Sequence, residues 1–138
     1  MIDIQLLTTS LDTQECIRLV EHPSSGGTAV FIGTVRDTTK GKPVIRLEFE
    51  AYKPMAIAEM QKIAETIVDR WSALKVVIHH RTGSLNIGEI AVIIAVATPH
   101  RKAAFAACEY AIDTLKETVP IWKKEIFEDG DVWVAAHP

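Results

Sequence analysis

A chain of 138 residues, 48% hydrophobic and 24% charged, is long enough for one globular domain with a substantial core and too short for two. Its 15 Lys and Arg against 18 Asp and Glu give a formal net charge of −3, which argues against general nucleic-acid binding. No apolar run reaches the length of a membrane span, and Met1-Ile2-Asp3-Ile4-Gln5 lacks the basic and apolar regions of a signal peptide, so the expected location is the cytoplasm.

Residues 2 to 7 read as a first strand, and Asp12 with Glu15 has the spacing of a capping box for a short helix bearing Cys16, Ile17 and Val20. Gly26-Gly27 breaks the chain before Thr28 to Arg36, a strand rich in β-branched and aromatic residues. Alternation puts Ile32, Thr34 and Arg36 on one face and Phe31, Gly33 and Val35 on the other; a glycine inside a strand marks close approach by another backbone or a ligand. Asp37 to Pro43 is polar and turn-prone, and Val44 to Tyr52 returns as a strand, predicting a hairpin with a mobile basic loop. After Pro54, residues Ala56, Met60, Ile63, Ala64, Ile67, Val68 and Trp71 follow a helical period. Leu74 to His79 is a strand, Gly83-Ser84-Leu85 and Gly88 mark a turn, and the continuously apolar Ile90 to Ala97 reads as a central strand covered on both faces. Pro99 and Pro120 bound a helix from 101 to about 118, with Phe105, Cys108, Ile112 and Leu115 as its apolar stripe. Strands near 121 to 127 and 132 to 135 follow, joined by Asp129-Gly130. Without a regular βαβ repeat, this mixture predicts a two-layer α+β fold, one domain over residues 1–138.

The region from His100 to Glu125 puts cations where a core is expected. Arg101 lies four residues before Phe105 and Lys116 four after Ile112, so both fall on or beside the stripe. Either alone also reads as a side chain snorkelling from a helix end. Lys123 and Lys124 flank Trp122 just beyond, and this gathering in an acidic chain points to a pocket for an anionic ligand with a flat apolar part. His100 sits at the helix N-terminus, where it serves either an anion or the cap, and Arg36 offers a planar fork to a phosphate or carboxylate. Arg101 and Lys116 are fifteen residues apart, about 22 Å along a helix. One small ligand does not span that distance, so the simplest arrangement is a two-fold dimer in which His100 and Arg101 of one copy complete the pocket around Lys116 and Lys123 of the other.

Other groups read more plainly. Cys16 and Cys108 stand among apolar helix positions as buried thiols, His79 and His80 point to opposite faces of a strand and suit no metal, and Glu48 and Glu50 occupy an exposed strand face.

Several spaced blocks resemble the large, catalytic subunit of molybdopterin synthase over nearly the whole chain. They are Phe31-Ile32-Gly33-Thr34-Val35-Arg36, Leu47-Glu48-Phe49-Glu50-Ala51-Tyr52 with Met55-Ala56, Gly83-Ser84-Leu85 with Gly88-Glu89, and His100-Arg101 through Ala104-Phe105, Lys116 and Pro120-Ile121-Trp122-Lys123-Lys124-Glu125. The resemblance implies an α/β-hammerhead type of fold and a dimer of large subunits with a small ubiquitin-like sulfur-carrier subunit at each end. It implies conversion of cyclic pyranopterin monophosphate to the dithiolene molybdopterin, with sulfur from a thiocarboxylate at the carrier's C-terminal glycine and no metal or cofactor. By position, Arg36, His100 and Arg101 would hold phosphate and pterin, Lys116 and Lys123 would be the catalytic pair, and Thr34, Val35, Lys124 and Glu125 would line the site. The sequence departs from the family at its end, closing on His137-Pro138 where many relatives continue with another basic residue. Two other readings compete: a phosphate-ester or nucleotide hydrolase, for which no water-activating base or metal site is visible, and a noncatalytic adaptor that binds the C-terminal tail of a ubiquitin-like protein through its lysines.

Overall fold

The computed structural model of the chain describes residues 1–135, apart from the side chains of 131 and 133–135; the expected departure at His137-Pro138 lies outside the described residues. The elements in order are β1 (Ile2–Leu7), α1 (Thr13–Leu19), β2 (Gly27–Thr34), β3 (Thr38–Thr39), β4 (Lys42–Ala51), α2 (Lys53–Trp71), β5 (Lys75–Arg81), β6 (Gly83–Asn86), β7 (Ile90–Thr98), α3 (Arg101–Thr118), β8 (Ile121–Phe127) and β9 (Gly130–Ala135). They form two sheets. One has the order β1-β5-β7-β2, with β1 parallel to β5 and the other pairs antiparallel; the second runs β3-β4-β8-β9, with β6 also paired to β4.

The expected central strand is β7: Ala91 to Thr98 are all buried, which requires cover on both faces. On one face, Val92, Ile94 and Val96 join Val76 and Ile78 of β5, Met60, Ile63 and Ile67 of α2, and Ala104, Ala107, Ala111 and Leu115 of α3. On the other, Ile93, Ala95 and Ala97 meet Cys16 and Val20 around the short helix α1. Truncating one of these isoleucines to alanine would cost about 2–5 kcal/mol. A third cluster, with Val35, Leu47, Leu85 and Phe127, ties the second sheet to the end of the first, and Phe49 touches both.

Two local expectations change. Phe105 is 68% exposed and is not part of the α3 stripe, which is built instead from Ala104, Ala107, Cys108, Ala111 and Leu115. Small side chains let the helix lie close to the sheet, so the period is carried by alanines rather than by the largest apolar residue. The segment read as a turn at Gly83-Ser84-Leu85 is a short strand that pairs with β4, setting Leu85 opposite Leu47. The basic hairpin loop closes tightly through Lys40 (φ 51°) and Gly41 (φ 79°), both left-handed as a two-residue hairpin turn demands.

The capping box is half formed. Asp12 Oδ1 accepts from the Glu15 amide at 3.1 Å, while the Glu15 carboxylate pairs with Arg18 rather than reaching back. Behind it, α1 is tied to the sheet by a buried chain of hydrogen bonds. His79 Nε2–H donates to Asp3 Oδ2 at 2.6 Å, which leaves Nδ1 to accept from the Cys16 thiol at 3.3 Å. Burial pushes both thiols up to about 11, so Cys16 and Cys108 stay protonated and inert at neutral pH. Asp3→Ala leaves the His79 N–H without its acceptor; the expected loss is about 1–3 kcal/mol in urea denaturation, with unchanged far-UV dichroism.

Candidate functional site

Where the two sheets meet, a cavity of about 510 Å³ opens at the end of β2. Its floor is apolar, formed by Phe31, Leu47, Phe49, Val92, Leu115 and Ile121. Three cations line it: Arg36 just past β2, Lys116 from the last turn of α3, and Lys123 from β8. Pro120 ends the helix and turns the chain straight into β8, whose register sets Lys123 opposite Phe49. Among the described residues, none of these three cations has a carboxylate within ion-pair distance. A concave apolar floor with unneutralised cations at its rim suits a flat, anionic ligand.

Of the residues singled out from sequence, Thr34, Val35, Arg36, Lys116 and Lys123 converge on this cavity. His100, Arg101, Lys124 and Glu125 do not line it. His100 holds the N-cap position of α3 with extended backbone and no side-chain capping bond, and its carbonyl accepts from Thr98 Oγ1 at 2.6 Å. Arg101 abuts the start of β2, since a Cβ built on Gly27 would lie 2.8 Å from its Cα. Lys124 faces Glu48 in the β4–β8 register, on the side of β8 away from Lys123, and Glu48 is itself bonded by Arg46. Glu125 shares the Lys123 face but is buried, its Oε2 without a hydrogen-bond partner among the described residues.

The alternation expected for β2 is interrupted between Gly33 and Thr34, where the pairing with β7 shifts register. The bulge re-aims the strand end, so residues from both expected faces reach the cavity. Gly33 is needed there because an added Cβ would stand 2.7 Å from Val92 Cγ1 and 3.3 Å from Phe31 Cε2. The Gly88-Glu89 motif supports the same strand end. The Val35 amide donates to the Glu89 carbonyl at 3.0 Å and the Gly88 amide to the Val35 carbonyl at 2.8 Å, while Arg81 Nη1 holds the Glu89 carboxylate.

Among the polar lining residues, one escaped the sequence reading. His80 lies on the β5 face shared with Val76 and Ile78, makes an edge contact with the Phe49 ring at 5.5 Å, and closes part of the floor. Burial pushes its imidazole down to about 4, only partly offset by its bond to the Arg81 carbonyl. The signal available in sequence was a polar residue in phase with the core positions of β5.

The sequence pattern of the family described as MoaE protein matches residues 6–118. The chain is 49% identical over 130 residues to the molybdopterin synthase catalytic subunit of Bacillus subtilis, covering 94% of this chain and 83% of that protein. It resembles the crystal structure of molybdopterin synthase from Staphylococcus aureus at a TM-score of 0.90 and 44% identity, covering 94% and 95% of the two chains. A Helicobacter pylori structure, a protein–protein complex of subunits 1 and 2 of molybdopterin-converting factor, shares the fold at a TM-score of 0.76 and 22% identity, covering 96% and 89%.

Gly33→Ala is expected to cost about 1–3 kcal/mol in thermal or urea unfolding, because the new methyl must displace Val92 or tilt Phe31 into the cavity. His80 carries a pH signature. Its folded value, about 4, lies below the ordinary 6.5, so the unfolded chain takes up the extra proton. The stability contribution is therefore complete above about pH 6.5 and is lost as pH falls toward 4, a total on the order of 3 kcal/mol. His80→Phe should flatten that part of the acid limb in urea titrations at pH 4 to 7.

Proposed function

The chain belongs to the MoaE protein family, and from that premise we propose how its cavity works as the active site of a molybdopterin synthase catalytic subunit. The substrate is cyclic pyranopterin monophosphate, and the product is the dithiolene molybdopterin. Each of the two sulfurs comes from its own thiocarboxylate at the C-terminal glycine of a small ubiquitin-like subunit, which leaves as the carboxylate, so two charged carriers are consumed per product; the two-subunit Helicobacter complex with the same fold supports such a partner. The observation that carries this reading is the placement of Arg36, Lys116 and Lys123 around an apolar floor with no carboxylate paired to any of them among the described residues.

The apolar floor takes the pterin ring, and Arg36 takes the phosphate through its fork. Attack of sulfur on the pterin side ring shifts negative charge toward the groups it displaces. Lys116 and Lys123 flank that charge, one as base or nucleophile and the other as proton donor or electrostatic stabiliser. An external sulfur donor leaves no role for the inert Cys16 and Cys108. Lys124 and Glu125 support the site from β8, Glu125 by holding a buried carboxylate two residues beyond Lys123 on the same strand face.

His100 and Arg101 enter this scheme from a second copy. Strand β2 is the last in its sheet, with Gly27 against Arg101 at one end and Thr34 at the cavity at the other. Two copies set antiparallel along β2 carry the Gly27 end of each to the Thr34 end of the other, bringing His100 and Arg101 to the neighbouring cavity. Exposed Val30 and Ile32 on β2 and Phe105 on α3 give that arrangement apolar surface to bury. The enzyme works in the cytoplasm; among the described residues no helix is long and apolar enough to cross a membrane.

Reconstitution with a thiocarboxylated small subunit and cyclic pyranopterin monophosphate tests the reading. Dithiolene product is expected from the wild type, and Lys116→Ala should lose at least about 100-fold in turnover while still binding the small subunit. A stable complex that leaves intact substrate unconverted would identify a noncatalytic adaptor instead.

A further inference from the structure

The cavity holds a titratable group for which the scheme above has no use. His80 Nδ1 lies 2.8 Å from the Arg81 carbonyl oxygen, which can only accept, so Nδ1 carries the ring proton. The neutral ring then has one remaining polar atom, Nε2, with a bare lone pair. That atom has no hydrogen-bond partner among the described residues, and it is not among their sealed, unsatisfied buried atoms. The ring lies on the β5 face that joins Val92 in the cavity floor, with Phe49 packed edge-on against it. His80 thus sets a hydrogen-bond acceptor into an otherwise apolar floor, below a rim where Arg36, Lys116 and Lys123 can only donate and the Thr34 hydroxyl can do either.

We propose that His80 is a substrate-binding residue, whose Nε2 accepts a hydrogen bond from an N–H of the bound heterocycle and so fixes which way its flat ring lies on the floor. The proposal rests on the pterin reading of the cavity. Cationic side chains at the rim fix the phosphate but do not touch the edges of the ring, so they leave its two faces undistinguished. An acceptor on the floor is different, since only one edge of an asymmetric ring brings an N–H to it, and a ring placed the other way leaves two polar groups facing unsatisfied. The fixed tautomer keeps Nε2 an acceptor. Apolar burial disfavours a second proton on the ring, so Nε2 stays an acceptor across the working pH range.

The test separates this role from packing. In His80→Phe the ring shape is kept and the acceptor removed; in His80→Gln the amide oxygen supplies an acceptor close to the position of Nε2. Binding of an oxidised pterin phosphate, read by its fluorescence without the small subunit, should weaken about tenfold in His80→Phe and stay within about threefold of wild type in His80→Gln. In turnover the loss should fall mainly on KM. If His80→Phe does not fold, His80→Met, which also lacks a strong acceptor, takes its place. Unchanged binding without the acceptor, or a Gln variant as weak as the Phe variant, overturns the proposal. Wild-type turnover in the full reconstitution judges the synthase reading separately, because the binding comparison does not depend on sulfur transfer.

Discussion

Strand β7 sets the terms for the rest of the structure. Eight consecutive residues from Ala91 to Thr98 are removed from water, so the strand needs neighbours at both edges and a packed layer on both faces. β5 and β2 supply the edges, α2 and α3 one face, and α1 the other. The cover thins at the N-terminal end of the strand, where Ala91 packs with residues of the second sheet rather than a helix, and there the cavity forms. The binding site is thus the place where one highly apolar strand runs out of helix to lie against.

Charge placement follows from that geometry. A helix end, a strand end and a cross-strand pair each deliver one cation to the same rim, from positions far apart in sequence. Three like charges at one rim repel one another until an anionic ligand arrives. The anionic phosphodiester of the proposed substrate offsets that repulsion when it binds.

The architecture was largely legible because it rests on local signals. The uninterrupted apolar run of β7, the two prolines bounding α3 and the Asp129-Gly130 turn signal placed elements to within a residue or two. The faces were less legible. Phe105 drew the stripe of α3 toward itself because size dominates a hydrophobic period, whereas the contact is made by alanines whose smallness matters more than their hydrophobicity. The gathering of Lys116 and Lys123 was legible from their nearness in sequence, whereas the joining of Arg36 to them was anticipated through the family resemblance, since no local pattern joins residues eighty apart. His79 and His80 show the limit most clearly. Alternation correctly split them between two faces, yet what each does depends on Asp3, Cys16 and Phe49, all distant in the chain.

Arg81 never lines the cavity, but it touches the cavity's floor and rim by different atoms. Its carbonyl orients His80, and its guanidinium holds Glu89, whose own carbonyl anchors Val35 beside Arg36. Floor and rim are therefore geared together through one residue in the structural background. Drift at Arg81 would surface as a change in ligand discrimination with every contacting residue still in place, so a search for altered selectivity confined to the pocket walls would overlook its source.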